Sequence, residues 1–386
     1  MGPSALRRPH PTRLSITFAS ALSACGRLAL AEDILKSTIG KTSAGDDLKL
    51  HARLQLALLR THFGASSDTE DVRRVAEEAI SFFGSTGDDV GLASAWSAIG
   101  EVHHNAVQVR SRYAAYEQAL LHAQRAGDRR LEREPVMAII WGLEWGPIPV
   151  DEAMRQCSVL AGRYEGDLQI GASCDAAYAV LTSLRGEFEE ARRLVARARQ
   201  MWVELGDTVG LLRPYEALRL VEMHAGDAHA AEREVRLAIG ELEQMGEKNW
   251  LSSRAGFLAE ALVPQDRFEE AEHYVRLCRQ TAAEDDVEAQ ALWRQVLARV
   301  LAARGEFDVA QRLAVEAVAR AELTDALSWH GGLLLNQSHV LKAAGRTAEA
   351  AEVARKALGL FTHKGDLVGA ERAQKVLAII EARVPR

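Results

Sequence analysis

A two-residue turn signal recurs along this chain at a nearly constant step, and that step constrains the fold more than any other feature. It reads Gly45-Asp46, Gly87-Asp88, Gly127-Asp128, Gly166-Asp167, Gly206-Asp207, Gly246-Glu247, Asp285-Asp286, Thr324-Asp325 and Gly365-Asp366, with steps of 39 to 42 residues. Glycine just past a helix enters the left-handed region that closes it, and the aspartate after it can accept a backbone N–H at the start of the next helix. Each pair marks a helix-helix joint, so the ladder predicts about nine units.

A second series falls about twenty residues after the first: Gly186 to Ala191, Gly226 to Ala231, Asp266 to Ala271, Gly305 to Ala310 and Gly345 to Ala350. After each alanine the apolar residues recur three and four apart, as in Phe188, Ala191, Leu194, Val195, Ala198 and Trp202, which makes one face of an amphipathic helix. Two such helices per unit cannot hide their apolar stripes alone and must stack on the next unit. The pattern resembles tetratricopeptide repeats, and the fold expected is all-α, a right-handed α-solenoid over residues 14–384 behind a basic, disordered tail at 1–13. The second series loses its glycine near 60–70, 105–112 and 141–150, where longer or distorted turns are expected. Pro147 and Pro149 make 141–150 the expected kink or inserted loop.

At 386 residues the chain would ordinarily divide into domains of about 100–200 residues, but a repeat removes that expectation. Its residues are 48% hydrophobic and 26% charged, and no run approaches the ~20 apolar residues of a membrane span. A net charge of −7, with both signs interspersed, gives no basic stripe for a phosphate backbone, so no direct nucleic-acid partner is expected. Cysteines 25, 157, 174 and 278 stand far apart without a Cys-x-x-Cys pair, which fits a reduced, cytoplasmic setting and no metal. The alternative is export: Leu22-Ser-Ala-Cys25 follows a moderately apolar run and resembles a lipoprotein cleavage box. Against it, Gly26 to Ala31 lies 160 residues before Gly186 to Ala191, four periods, so cleavage would cut inside a repeat.

No chemical motif is complete. Gly40-Lys41-Thr42 resembles the end of a phosphate-binding loop, yet Leu35 stands where the earlier glycine is required. His103, His104 and His122 have no carboxylate at helical spacing to complete a metal set. No serine, cysteine or lysine nucleophile stands in a motif, so no catalytic, cofactor or metal site is assigned. Arg213, Arg254 and Arg294 recur at steps of 41 and 40 near the middle of successive first helices, with Arg53 in phase. Residues in phase can line one surface of a solenoid, where guanidinium groups would recognise carboxylates or phosphates. The plainer reading pairs them with glutamates of adjacent helices. Trp250, Trp293 and Trp329 share those helices, as lining or as packing between repeats.

Trp145-Gly-Pro-Ile-Pro-Val-Asp-Glu-Ala153 with Arg155-Gln-Cys157, Asp285-Asp-Val-Glu-Ala-Gln-Ala-Leu-Trp293, Thr324-Asp-Ala-Leu327 and Lys364-Gly-Asp-Leu-Val-Gly-Ala-Glu-Arg372 resemble the C-terminal helical region of large bacterial adenylate/guanylate cyclases with a STAND-type ATPase module. The resemblance runs from about Gly26 to Ile380. It implies a sensing or protein-interaction role, with a protein, peptide or small effector as partner and a signalling ATPase, cyclase or transcription regulator as the regulated protein. Large ATP-binding transcription activators are similar in their repeats but end in a helix-turn-helix, which this chain lacks. The cyclase aspartates and the ATPase loop have no counterparts here, so neither activity carries over. A detached sensor module or a truncated gene product is expected. The rival is a cyclase or ATPase subunit, which would turn over ATP or GTP with magnesium.

Overall fold

The computed structural model describes residues 11–41, 45–63, 69–245 and 250–382. Among them are nineteen α-helices, one short 3-10 turn at Val263–Gln265, and no strand. The helices pair as hairpins: α1 (Pro11–Ala24) with α2 (Leu28–Gly40), α3 (Asp46–Phe63) with α4 (Thr69–Thr86), α5 (Asp89–Asn105) with α6 (Val109–Ala126), and α7 (Arg129–Trp145) with α8 (Val150–Arg163). They continue as α9 (Leu168–Leu184) with α10 (Phe188–Leu205), α11 (Leu212–Ala225) with α12 (Ala228–Met245), and α13 (Trp250–Leu262) with α14 (Phe268–Thr281). Then come α15 (Val287–Ala303) with α16 (Phe307–Ala321), α17 (Leu327–Ala343) with α18 (Thr347–Lys364), and a single last helix, α19 (Leu367–Glu381). Each first helix also touches the first helix of the next unit, as α7 with α9 and α9 with α11, so the first helices form the inner layer of a helical-repeat solenoid. No described helix is long and apolar enough to cross a membrane.

The joints behave as the glycine-aspartate ladder requires. Gly87, Gly127, Gly166, Gly206 and Gly365 have φ between 63° and 86°, and Asp88, Asp128, Asp167 and Asp366 each accept an N–H at the start of the following helix. Gly246-Glu247 lies outside the described residues. In the second series Asp266 takes φ 55° where its neighbours have glycine. The alanines that follow, Ala191, Ala231, Ala271, Ala310 and Ala350, are all 0% exposed, as is Ala31 of the first hairpin. A methyl side chain at that position lets the two helices of a hairpin approach, and a larger one would overpack the contact.

Three expectations need correction. The turn at 106–108 is no longer than that at 185–187; buried Val107 simply occupies the left-handed region, at φ 51°, where other units use glycine. Asp325 does not cap α17, whose N-terminus has no side-chain cap. Its carboxylate instead accepts the N–H groups of Val109 (2.8 Å) and Arg110 (2.9 Å) at the start of α6. Arg213 is the second residue of α11, not a mid-helix residue. The 141–150 segment does carry the expected break, with Gly146 to Pro149 separating α7 from α8.

The Asp325 contact belongs to a seam. After 216 residues, five units and part of a sixth, the superhelix meets itself: Thr69 donates to Asp285, Asp325 holds the start of α6, and Lys364 reaches the α7–α8 turn. The Lys364 ammonium is 0% exposed and donates to the carbonyls of Gly146 (2.6 Å), Ile148 (2.8 Å) and Leu143 (3.3 Å), using all three of its protons. Arg372 of α19 donates to Met223 and His224 carbonyls at the end of α11. Val107, Val109 and Ala326 pack across the same seam with Trp141, Trp145 and Trp329.

Candidate functional site

Winding of the superhelix leaves a partly open central cavity of about 630 Å³, lined by the inner helices α5, α7, α9, α11, α13, α15 and α17 together with Ser20 and Ser23 of α1 and residues of α6 and α10. That volume lies within the range of about 300–1,000 Å³ typical of ligand sites. Aromatic and charged residues make up about half of the wall, and small polar and aliphatic residues make up the rest. Trp141 stacks on Trp145 at 5.6 Å and meets His104 edge to face at 4.8 Å; Tyr116, Trp202 and Trp329 extend the aromatic surface.

The three arginines of the wall are each paired with a carboxylate. Arg112 donates to Glu101 (3.2 Å) and to the Ala138 carbonyl (3.0 Å), with its guanidinium 4.4 Å from the Trp141 ring. Tyr116 also donates to Glu101. Arg213 bonds Glu144, which lies behind the wall, 3% exposed. Burial pushes Glu144 up to about 7, although Arg213 pulls the other way. Arg254 approaches Glu216 at 3.6 Å. Burial alone would raise Glu216, but Arg254, Arg213 and Arg219 outweigh it and hold it below the usual glutamate value. Glu288 has the opposite outcome: burial, then repulsion from Glu216 and Asp286, push it up to about 8. Asp286 caps α15 through Ala289 (2.9 Å), and burial pushes it up to about 6.

Of the arginine ladder, Arg213 and Arg254 stand on the cavity wall, whereas Arg294 does not contribute to it. Arg294 bonds Glu316 (3.0 Å) and covers Trp293 at 4.1 Å; Arg53 forms a two-pronged pair with Glu78 (2.8 Å). Counted from the joint before it, Arg213 stands 7 residues on, Arg254 8 and Arg294 9. Each added residue turns a side chain about 100° around its helix, so equal steps in the sequence do not give equal directions. Trp293 is a core residue, 6% exposed, with its N–H on Gln290 (3.1 Å). The side chain of Trp250 lies outside the described residues.

Residues that the sequence did not single out dominate the site: Trp141, Trp202, Glu216, Asp286 and Glu288. Tryptophans within helices carry no local mark of the void they face, and the carboxylates come from two different units. Ser183 and His224 also stand 2.8 Å apart, a nucleophile-base distance. Ser183 is 0% exposed and bonds the Val180 carbonyl, while burial pushes His224 down to about 3; the pair joins α9 to α11. His122 bonds Asp89 (2.7 Å) and His103 bonds Gln108 (2.9 Å), each a local contact. Cys25 is exposed at the α1–α2 joint.

Fold and cavity together define the class: an all-α helical-repeat solenoid wound into a closed turn. No family model matches the sequence, and no curated protein matches it. Among solved structures, the chain is similar to the Cut9-Hcn1 hetero-tetramer of the APC/C (TM-score 0.64, 10% identity, covering 97% of this chain and 71% of that one). It is also similar to a Rap protein complexed with competence and sporulation factor (TM-score 0.54, 12% identity, covering 96% and 98%). A third similar structure is the STAND protein PH0952 from Pyrococcus horikoshii, which has a tetratricopeptide repeat sensor (TM-score 0.48, 9% identity, covering 98% and 66%).

Proposed function

We propose that this chain is an interaction and sensor scaffold that takes a peptide or an extended protein segment into its central cavity and regulates a separate signalling protein, an ATPase, cyclase or transcription regulator. The observation that carries the reading is the cavity itself: a void of about 630 Å³ bounded by seven inner helices, with aromatic and charged groups converging on it. Two structures of similar fold support it, each solved with a bound partner: the Rap protein with competence and sporulation factor, and Cut9 with Hcn1. Arg213 and Arg254 are the ladder residues proposed to face the ligand; Arg294 and Trp293 have the packing role. Cavity and seam share Val107, Trp141, Trp145 and Trp329, so an occupant touches the residues that hold the turn closed. A ligand that binds the closed turn better than an opened one shifts the population toward it, which is how the signal would leave the cavity.

Ser253 on α13 stands on the wall, and Ser253→Trp puts an indole into the void. The expected result is loss of ligand binding, read as loss of the change in tryptophan emission, with the melting temperature held. Unchanged binding in this variant sinks the cavity reading.

A further inference from the structure

We propose that the acidic side of the cavity receives the basic side chain, arginine or lysine, of the bound peptide, with its cationic group between Glu216 and Glu288. The inference rests on the reading of the cavity as a peptide site and adds what the peptide must carry.

Charge supplies the first argument. The described wall has six carboxylic residues against three arginines. Arg112 is taken by Glu101, Arg213 by Glu144 behind the wall, and Arg254 by Glu216. The Glu288 side chain makes no hydrogen bond or ion pair among the described residues, and it faces Glu216 and Asp286 as like charges and Arg219 and Arg254 as opposite ones. A carboxyl group held in a void beside two others is a site short of a cation. A metal ion is the poorer occupant, because no group of three or more His, Cys, Asp or Glu among the described residues could hold one.

Orphaned donors give the second argument, and they point to a peptide. Trp202, 3% exposed, and its wall neighbours Trp145 and Arg213 each have a buried N–H group without an acceptor: Nε1 of both tryptophans and Nη1 of the arginine. Buried donors without partners are costly, and a peptide that turns these side chains toward it offers carbonyls that would satisfy them. The molecule also contains its own template for a guanidinium in this cavity, since Arg112 sits between a carboxylate and the Trp141 face.

The pH response has a fixed sign. Glu288, pushed up to about 8 by burial and its acidic neighbours, is largely protonated in the empty cavity at neutral pH and must ionise to pair with a cation. Binding therefore releases a proton, and affinity for a basic peptide rises as pH goes from about 6 to about 8.

The test uses the full chain and pools of labelled pentapeptides in which one position is fixed as Arg, Lys, Gln or Glu and the rest are randomised. Arg and Lys pools are expected to bind about ten- to hundredfold tighter than Gln pools at one position, the range of a hydrogen-bonded charge. Glu288→Gln and Glu216→Gln, each checked for a retained cooperative unfolding transition, are expected to remove that preference while leaving Gln-pool affinity as it was. Equal binding of all pools, or a preference for Glu, overturns the inference and leaves the peptide reading standing. Binding by no pool, or binding that survives Ser253→Trp, overturns the peptide reading itself.

Discussion

Val107 shows how one residue settles a conflict between backbone and side chain. A non-glycine residue in the left-handed region costs about 1–2 kcal/mol, while burying a valine side chain gains about 1.5–3 kcal/mol, so packing against Ala326 and Trp329 wins. The sequence marked this joint as irregular because glycine was missing, but the partners that make valine acceptable lie 219 and 222 residues away, since 326 − 107 = 219 and 329 − 107 = 222. Glu288 is equally silent in the sequence, one glutamate among many, until units fold around it. Its value in the fold, about 8, lies above its ordinary 4.5, so the stability it contributes is complete below about pH 4.5 and is lost as pH rises toward 8. Glu288→Gln removes that loss: the variant should melt higher than the parent at pH 8 and close to it at pH 5. Parallel melting curves across that range would show that Glu288 is solvated and not shifted.

Among elements, the joints were readable and the contacts beyond them were not. Capping by aspartate after glycine is local chemistry, so the ladder located the helix boundaries and the register of nearly every hairpin. A tighter motif hid within it: Phe83, Trp202 and Phe361 each stand four residues before the joint glycine and pack on the glycine four residues after it, Gly91, Gly210 and Gly369. A Cβ at those three would come within 2.3–2.4 Å of the ring. Gly-Asp-x-Val-Gly, present at 87–91, 206–210 and 365–369, is the written form of this contact, and only the first two of its residues were recognised. Gly210→Ala should destabilise by about 1–3 kcal/mol through overpacking, measured by denaturant unfolding. Adding Trp202→Leu should recover part of the loss; strict additivity would show that ring and methyl do not meet. The arginine ladder divides for the complementary reason: Arg213 and Arg254 stand on the cavity wall and Arg294 does not, because equal steps along the chain do not fix the direction of a side chain.

For the whole molecule, periodicity announced a solenoid, but no local pattern announced closure. Lys364 stands in a stretch that reads as one more joint, and nothing near it in the chain says that its ammonium will meet carbonyls 216 to 221 residues earlier. Replacing it by Met keeps the volume and strands those carbonyls, at about 1–3 kcal/mol for a buried group left without a partner. Lys364→Met combined with Asp325→Asn should raise the radius of gyration in solution scattering and speed amide exchange in the α7–α8 turn and at the start of α6. Unaltered scattering and exchange would show that the seam does not hold the turn closed. The 216-residue seam also makes this chain count. In an open array a unit can be cut from the middle and the remainder re-anneals, because every module knows only its neighbours. Excising 186–225 here would leave each surviving joint intact, yet bring the tail round one module short of the groups it must meet, so repeat number, free to drift in most solenoids, is fixed in this one by arithmetic.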